Sequence, residues 1–320
     1  MKVYLGVLIF SGILFSCSNN RTEDLVDSKL EDVAQNDLSE SEGEKPDDMI
    51  LSDTSYDMNH YSGNAEIATY SLKKARYNGV HEGEVVLIFV TEPFLIEKQV
   101  KADNPNNDNS VNVLKMNRID RFATGLYDYS QFTSVFTPIE KFSAQYPLKV
   151  TFGSQDWCGQ SFMQMNHNNG FDLMQRSYFE SEGDTSFHID HVILEDNIFN
   201  MLKTSVDLLP VGDFDVFPSA ATLRNSHQGM KDYSAIGKSY ESEGLYVYEY
   251  EIPALKRTVE IQVDLEQNNR IVSWKETYPT VFDGELRTSI YELKGVESMP
   301  YWKYNRVGDV EKRSEFKLIY

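Results

Sequence analysis

The chain is expected to be a mainly β protein: one large curved antiparallel sheet, or an incomplete barrel, with one amphipathic helix packed in its concavity. Three observations predict this. From residue 61 onward apolar and polar residues mostly alternate, the period of a strand with one dry and one wet face. Clusters of Asn, Asp and Gly interrupt that alternation, at 104–109, Asn168-Asn169-Gly170, Glu182-Gly183-Asp184 and Asp283-Gly284, as turns do. One stretch changes to a helical period: Leu194, Ile198, Leu202, Val206 and Leu209 recur every three to four residues until Pro210 stops the run. A sheet with this many strands tends to curl or split.

In chain order, Lys2 precedes an apolar run over 3–14, which ends in Leu14-Phe15-Ser16-Cys17. The run has about twelve residues, short of the roughly twenty that cross a bilayer. The small Ser16 before Cys17 suits a peptidase, and the arrangement resembles a bacterial lipoprotein signal with its lipobox. The resemblance implies that 1–16 are removed and that Cys17 becomes a lipidated N-terminus. Each buried CH₂ of the lipid adds about 0.8 kcal/mol, so two or more chains give stable anchoring. The alternative is an ordinary secretory signal that contains a cysteine. Residues 17–60 then form an acidic segment. Over 21–60, thirteen Asp and Glu stand against three Lys and Arg, with no aromatic residue before Tyr56. Such a stretch buries too little apolar surface to offset its ordering entropy, so a disordered tether is expected. Forty flexible residues reach roughly 35 Å root-mean-square, more when like charges repel. Leu25, Val26, Leu30, Val33 and Leu38 leave room for transient helicity.

The β-rich globular part is assigned to 61–320. Residues 67–77 alternate, and Val85-Val86-Leu87-Ile88-Phe89-Val90 is continuously apolar, as in a central strand covered on both faces. Further strands are expected at 94–102, 111–123, 129–136, 148–152, 160–166 and 171–179. The helix is placed at 194–204, with Asp190 as a start signal. After it, Tyr246, Tyr248, Tyr250 and Ile252 share one face, and so do Val259, Ile261, Val263 and Leu265. Gln267-Asn268-Asn269 turns the chain, Val272, Trp274 and Tyr278 return on one face, and 286–293 follows. Residues 245–293 therefore predict a four-stranded meander. Ser177-Tyr178-Phe179-Glu180-Ser181-Glu182-Gly183 is nearly repeated in Ser239-Tyr240-Glu241-Ser242-Glu243-Gly244, which hints at two related halves, about 61–190 and 210–320.

The formal net charge is -20 over 320 residues, and no basic patch stands out, so nucleic acid is not an expected partner. An acidic domain is also repelled by anionic headgroups, leaving the lipid to do the anchoring. No later segment reaches eighteen apolar residues, so the remainder is expected to be soluble. There are two cysteines. With Cys17 lipidated, Cys158 has no intrachain partner, and the fold must be held by its core without a disulfide.

Candidate chemistry is sparse. In Gly153-Ser154-Gln155-Asp156-Trp157-Cys158-Gly159, Cys158 would need a base such as His167, His188 or His191 to become a nucleophile. The competing reading is a buried cysteine packed beside Trp157 in a Gly turn. His188-Ile189-Asp190-His191 holds three potential ligands, but His188 and Asp190 share a strand face that His191 does not, and no further cluster at zinc spacing accompanies them. No metal or other cofactor is expected. Glu180, Glu182 and Asp184 could act as paired carboxylates, although a polar hairpin tip explains them equally. Trp157, Tyr246, Tyr248 and Tyr250 are candidates to line a groove for an apolar ligand, against the alternative of cross-strand packing.

Four stretches carry a wider resemblance: Gly83-Glu84-Val85-Val86-Leu87-Ile88-Phe89-Val90-Thr91-Glu92-Pro93-Phe94, Lys98-Gln99-Val100-Lys101-Ala102-Asp103, Ser154-Gln155-Asp156-Trp157-Cys158-Gly159 and Trp274-Lys275-Glu276-Thr277-Tyr278-Pro279. They are similar to a family of Gram-negative envelope lipoproteins of uncharacterised activity, whose members often carry the label septum formation inhibitor Maf. True Maf nucleotide pyrophosphatases bear an N-terminal Ser-x-Ser-Pro-Arg-Arg motif, which this chain lacks. The resemblance implies an envelope location and brings no catalytic residues with it. The expected function is a membrane-anchored, non-catalytic module that binds an apolar ligand or an envelope protein. It would sit at the outer membrane, with the periplasmic face favoured over surface display. The alternatives are a hydrolase centred on Cys158 and a nucleotide pyrophosphatase.

Overall fold

Alternation is realised in long antiparallel strands. The structure, a computed structural model, describes residues 63–104, 109–140 and 143–318. The expected signal segment, the expected lipidation at Cys17 and the expected acidic tether lie outside the described residues. Strands β1 (Ala65–Arg76), β2 (Gly79–Leu95), the short β3 (Val100–Lys101), β4 (Ser110–Thr124), β5 (Tyr127–Pro138), β6 (Lys149–Asp156), β7 (Gly159–His167), β8 (Phe171–Ser177) and β9 (Thr185–Ile189) make a first meander. After β10 (Ile193–Leu194), strands β11 (Gly212–Phe217), β12 (Tyr233–Ser242), β13 (Leu245–Ile252), β14 (Arg257–Asp264), β15 (Arg270–Pro279) and β16 (Leu286–Met299) make a second. All belong to one sheet, ordered β10-β11-β12-β13-β14-β15-β16-β1-β2-β4-β5-β6-β7-β8-β9, with β3 beside β2. The fold is mainly β, as the alternation predicts.

The two meanders join where β1 pairs antiparallel with β16, Ala65 opposite Met299. The free edges are β9 and β10, which are consecutive in the chain. From Ile189 to Ile193 is four residue steps, which span at most about 14 Å. The sheet must therefore curl until its edges nearly meet, although β10 pairs only with β11, in parallel. This is a barrel with an unzipped seam.

Helix α1 (Ile198–Thr204) lies in the concavity, preceded by a 3-10 turn over Glu195–Asn197. At seven residues it is too short to persist alone in water and depends on packing. Phe199 meets Trp274 edge-on at 5.2 Å. The Asn200 side-chain amide donates to the Leu114 carbonyl at 3.1 Å, and the Lys203 ammonium reaches Glu66 and the Asn268 carbonyl. The helix thus bridges both meanders, and one continuous apolar core surrounds it. No helix among the described residues is long and apolar enough to cross a membrane.

Several local expectations are corrected. Asp190 does not cap α1; Asn197 precedes it without a side-chain cap bond. Val272 does not share a face with Trp274, because a bulge opposite Gln262 and Val263 shifts the register and turns Ile271 inward. A second helix, α2 (Ala220–Ser226), was not anticipated. The Ser219 hydroxyl accepts the Thr222 N–H and α2 closes one end of the barrel. A third, α3 (Lys312–Glu315), lies in the C-terminal segment. Finally, Val85, Leu87 and Phe89 are buried inward, but Val86, Ile88 and Val90 on the outer face of β2 are only half covered.

Candidate functional site

The inward faces of β1, β4, β14 and β15 carry charged residues at the α2 end. On β1, Lys74 continues the face of Tyr70 and Leu72; on β15, Glu276 follows Trp274; on β14, Arg257 precedes Val259; on β4, Arg118 and Asp120 lie between Met116 and Phe122. Arg118 binds Asp120 with two nitrogens at 2.8 and 2.9 Å and approaches Glu276 at 3.5 Å. Arg257 donates to Glu195 and lies 3.6 Å from the other oxygen of Glu276. Glu195 also accepts the Tyr250 hydroxyl at 2.5 Å and the Ser219 N–H at 2.8 Å. Its neighbour Asp196 accepts the Ala220 N–H at 3.0 Å. The start of α2 is thereby fastened to the network.

Buried charges persist only when paired and hydrogen-bonded. Burial opposes ionisation of Glu276, yet Arg118, Lys74 and Arg257 outweigh it and hold the carboxyl down at about 2. Asp196 shows the opposite balance: burial, aided by Glu195, pushes it up to about 7 against the Ala220 N–H, Arg118 and Arg257. Between this network and α2 lies a cavity of about 40 Å³, lined by Lys74, Arg118, Arg257 and Glu276 below and by Thr222, Asn225 and Ser226 above.

A larger space lies on the outside. Ile67, Val86, Ile88 and Ile119 form an apolar floor across β1, β2 and β4, and the C-terminal segment forms the opposite wall with Tyr301, Tyr304, Phe316 and Leu318. The groove has a volume of about 270 Å³, and Arg121, Lys312, Arg313, Asp309 and the buried Glu84 also line it.

The sequence-derived candidates are scattered. Cys158 is exposed in the β6–β7 turn, its N–H held by the Asp156 carboxylate at 2.7 Å. The reading of a buried cysteine is therefore wrong: a two-residue hairpin tip leaves no room to bury it. His167 closes the other end of β7 (Gly159–His167), nine residue steps and roughly 30 Å from Cys158 at about 3.3 Å per residue. His188 and His191 belong to that same far end, so none of the three can serve Cys158 as a base. His188 pairs with Asp172 at 2.8 Å, which raises its pKa, while His191 meets His167 at 3.2 Å. Burial, then His191, pushes His167 down to about 4. His188 and His191 thus have different partners, and no group of three potential metal ligands occurs among the described residues. Glu182 bonds Ser177 and His227, and Asp184 bonds the Ser177 N–H, so these acids organise a hairpin tip.

Trp157 is 69% exposed at its hairpin tip and contacts Tyr127. Tyr248 is buried with its hydroxyl on the Pro210 carbonyl, and Tyr250 is part of the charged network; Tyr246 only flanks the core. None of these tyrosines lines the cavity or the groove. The residues that do were missed, although one signal was present: Lys74, Arg257 and Glu276 are charged residues at period-two positions of a dry face.

A scan against protein families finds no match, and no curated protein matches the chain. Among solved structures, the chain is similar to the beta-barrel-like protein of domain of unknown function DUF1849 from Brucella abortus, at 9% identity and a TM-score of 0.42, covering 74% of this chain and 98% of that one.

Proposed function

We propose that the protein is a lipid-anchored envelope module that binds an apolar ligand without transforming it, and that the ligand lies in the groove between the outer face of β1, β2 and β4 and the C-terminal segment. The observation that carries this is the apolar floor of Ile67, Val86, Ile88 and Ile119, of which Val86, Ile88 and Ile119 are only half covered. The continuous apolar run of β2 has one face more than the barrel interior can use. The C-terminal segment covers that second face incompletely, and the groove of about 270 Å³ approaches the roughly 300 Å³ at which small-molecule sites begin.

The test is titration of the full chain with the neutral dye N-phenyl-1-naphthylamine, whose fluorescence rises in apolar surroundings. Ile88→Lys places a charge on the groove floor and is expected to weaken dye binding at least about tenfold, the effect of leaving a charge partly desolvated. Equal binding by the variant would remove the groove from consideration. Extraction of the protein from membranes, with co-purifying lipid and protein identified, then names the natural ligand. The anchor at Cys17 and the outer-membrane, periplasmic location belong to the same proposal; protease treatment of intact cells distinguishes them from surface display.

A protein partner is the second reading. Leu126, Trp157 and Tyr178 stand exposed on hairpin tips at the α2 end, where aromatic side chains make effective contact anchors.

A further inference from the structure

The cavity under α2 is a site of different character from the apolar groove. Three cations line it, Lys74, Arg118 and Arg257, against one carboxylate, Glu276. Asp120, Glu195 and Asp196 do not line it; they engage the guanidinium groups and the start of α2 from behind. The guanidinium groups are committed to those acids. Lys74 is not. Its side chain is buried, with the residue 5% exposed, and its ammonium makes one long hydrogen bond, 3.4 Å to the Tyr291 hydroxyl, and sits 5.6 Å from the Tyr278 ring centre. No carboxylate of the described residues lies within ion-pair distance of it, the Tyr291 hydroxyl is the one hydrogen-bond partner they offer its three donors, and the residue lines the cavity. An ammonium buried this way costs more than one long hydrogen bond returns. Burial disfavours its charge, but Tyr278, Tyr291, Glu276 and Asp120 together keep it protonated.

We propose that the lumen beneath α2 binds the carboxylate group of a small organic acid, with Lys74 as its charged anchor. A cavity of about 40 Å³ admits about three water-sized groups, which is the size of a carboxylate and its adjoining carbon. In the roof, the Asn225 amide is bonded to Gln131 at both ends and the Ser226 hydroxyl donates to the Thr222 carbonyl, so the Thr222 hydroxyl proton and the Ser226 oxygen are what the roof offers a hydroxyl next to the acid group, while Leu255, Tyr278 and Pro279 form the rest of the wall. Phosphate is disfavoured because a second uncommitted cation would be needed to match its charge.

The experiment titrates the full chain with sodium acetate, glycolate or phosphate against sodium chloride at equal ionic strength, following the melting temperature and the NMR linewidth of ¹³C-labelled acetate. A saturable rise with acetate and glycolate, and none with chloride, is expected. Lys74→Met is expected to fold and to weaken acetate binding at least about tenfold, as loss of a buried charge partner does. Should Lys74→Met fail to fold, Ser226→Leu fills the cavity from its roof with Lys74 intact and is expected to cause the same loss. Ile88→Lys, in the outer groove, is expected to leave acetate binding unchanged, so failure of one site is distinguishable from failure of the other. Absence of saturable carboxylate binding in the unsubstituted protein, tighter binding of phosphate, or binding within twofold by Lys74→Met or Ser226→Leu overturns the proposal.

Discussion

Asp196 shows how a single buried group makes stability depend on pH. Its carboxyl titrates near 7 in the folded chain against an ordinary value of 3.8, because burial disfavours its charge. The folded state therefore holds the proton more tightly than the unfolded state. The resulting stabilisation is fully present below about pH 4 and is lost as pH rises through about 7. Asp196→Asn removes this dependence while keeping an oxygen for the Ala220 N–H. Relative to the parent, it is expected to gain stability between pH 4 and pH 7, by up to about 4 kcal/mol, and to hold the gain above pH 7. Urea denaturation at several pH values measures this. Lys203 illustrates a satisfied charge instead: it is buried in α1 with both Glu66 oxygens at 3.0 Å and the Asn268 carbonyl at 2.7 Å. Lys203→Met leaves Glu66 without its partner and is expected to cost about 3 kcal/mol, in contrast to Lys74→Met.

Among the elements, α1 owes its existence to the barrel. Met201 and Leu202 are fully buried between the meanders. Leu202→Ala is expected to cost about 2–5 kcal/mol, read as a lower urea midpoint with an unchanged slope. The central strands are equally unforgiving. A Cβ added at Gly83 would lie 2.4 Å from the Arg121 carbonyl oxygen and 2.7 Å from the Phe122 Cβ. These atoms belong to β4, whose register with β2 runs from Ser110 to Phe122 and leaves no slack. Gly83→Ala is expected to destabilise by about 1–3 kcal/mol, the usual cost of overpacking, in the same assay. How far such elements were legible depended on length. The meander over 245–293 could be read because each strand is eight residues or longer between recognisable turns, and even the bulge in β15 leaves seven alternating residues, Ser273 to Pro279. Strands β9, β10 and β11, of five, two and six residues, gave too short a pattern. Helix α2 was announced only by Pro218-Ser219, a capping signal without enough periodic residues behind it.

On the scale of the whole molecule, the start and end of the sheet-forming chain meet in the middle of the sheet, whereas its seam falls in the middle of the chain. Asp190, His191 and Val192 connect the two edges in the chain, and among the described residues no hydrogen-bonded strand pair crosses between them. A circular permutant opened at 190–192 and closed by a flexible linker between the old ends cuts no ladder. It is expected to keep its circular-dichroism spectrum with a modest fall in melting temperature. A permutant opened inside β2 should not fold, because β2 pairs along its length with both β1 and β4.

What the sequence determined by itself was local. Alternation along β1, β4 and β13 to β16 specified strands and a mainly β fold, because a period of two decides which side chains face one way. The run Leu14-Phe15-Ser16-Cys17 and the acid-rich stretch after it are likewise legible without any fold, and the lipid anchor and envelope location read from them belong to the proposal. What only the tertiary structure decided was which dry face meets which. Lys74, Arg118, Arg257 and Glu276 lie on four different strands and are separated by up to about two hundred positions, and they form one network because the sheet curls. Val86 and Ile88 read as core residues; their outer face became the floor of a groove because the barrel interior can bury just one side of β2. Cys158 and its histidines looked combinable in sequence, but the strand β7 holds them at opposite ends. Curvature and strand length are properties of the whole sheet, so no local pattern could have shown these three outcomes.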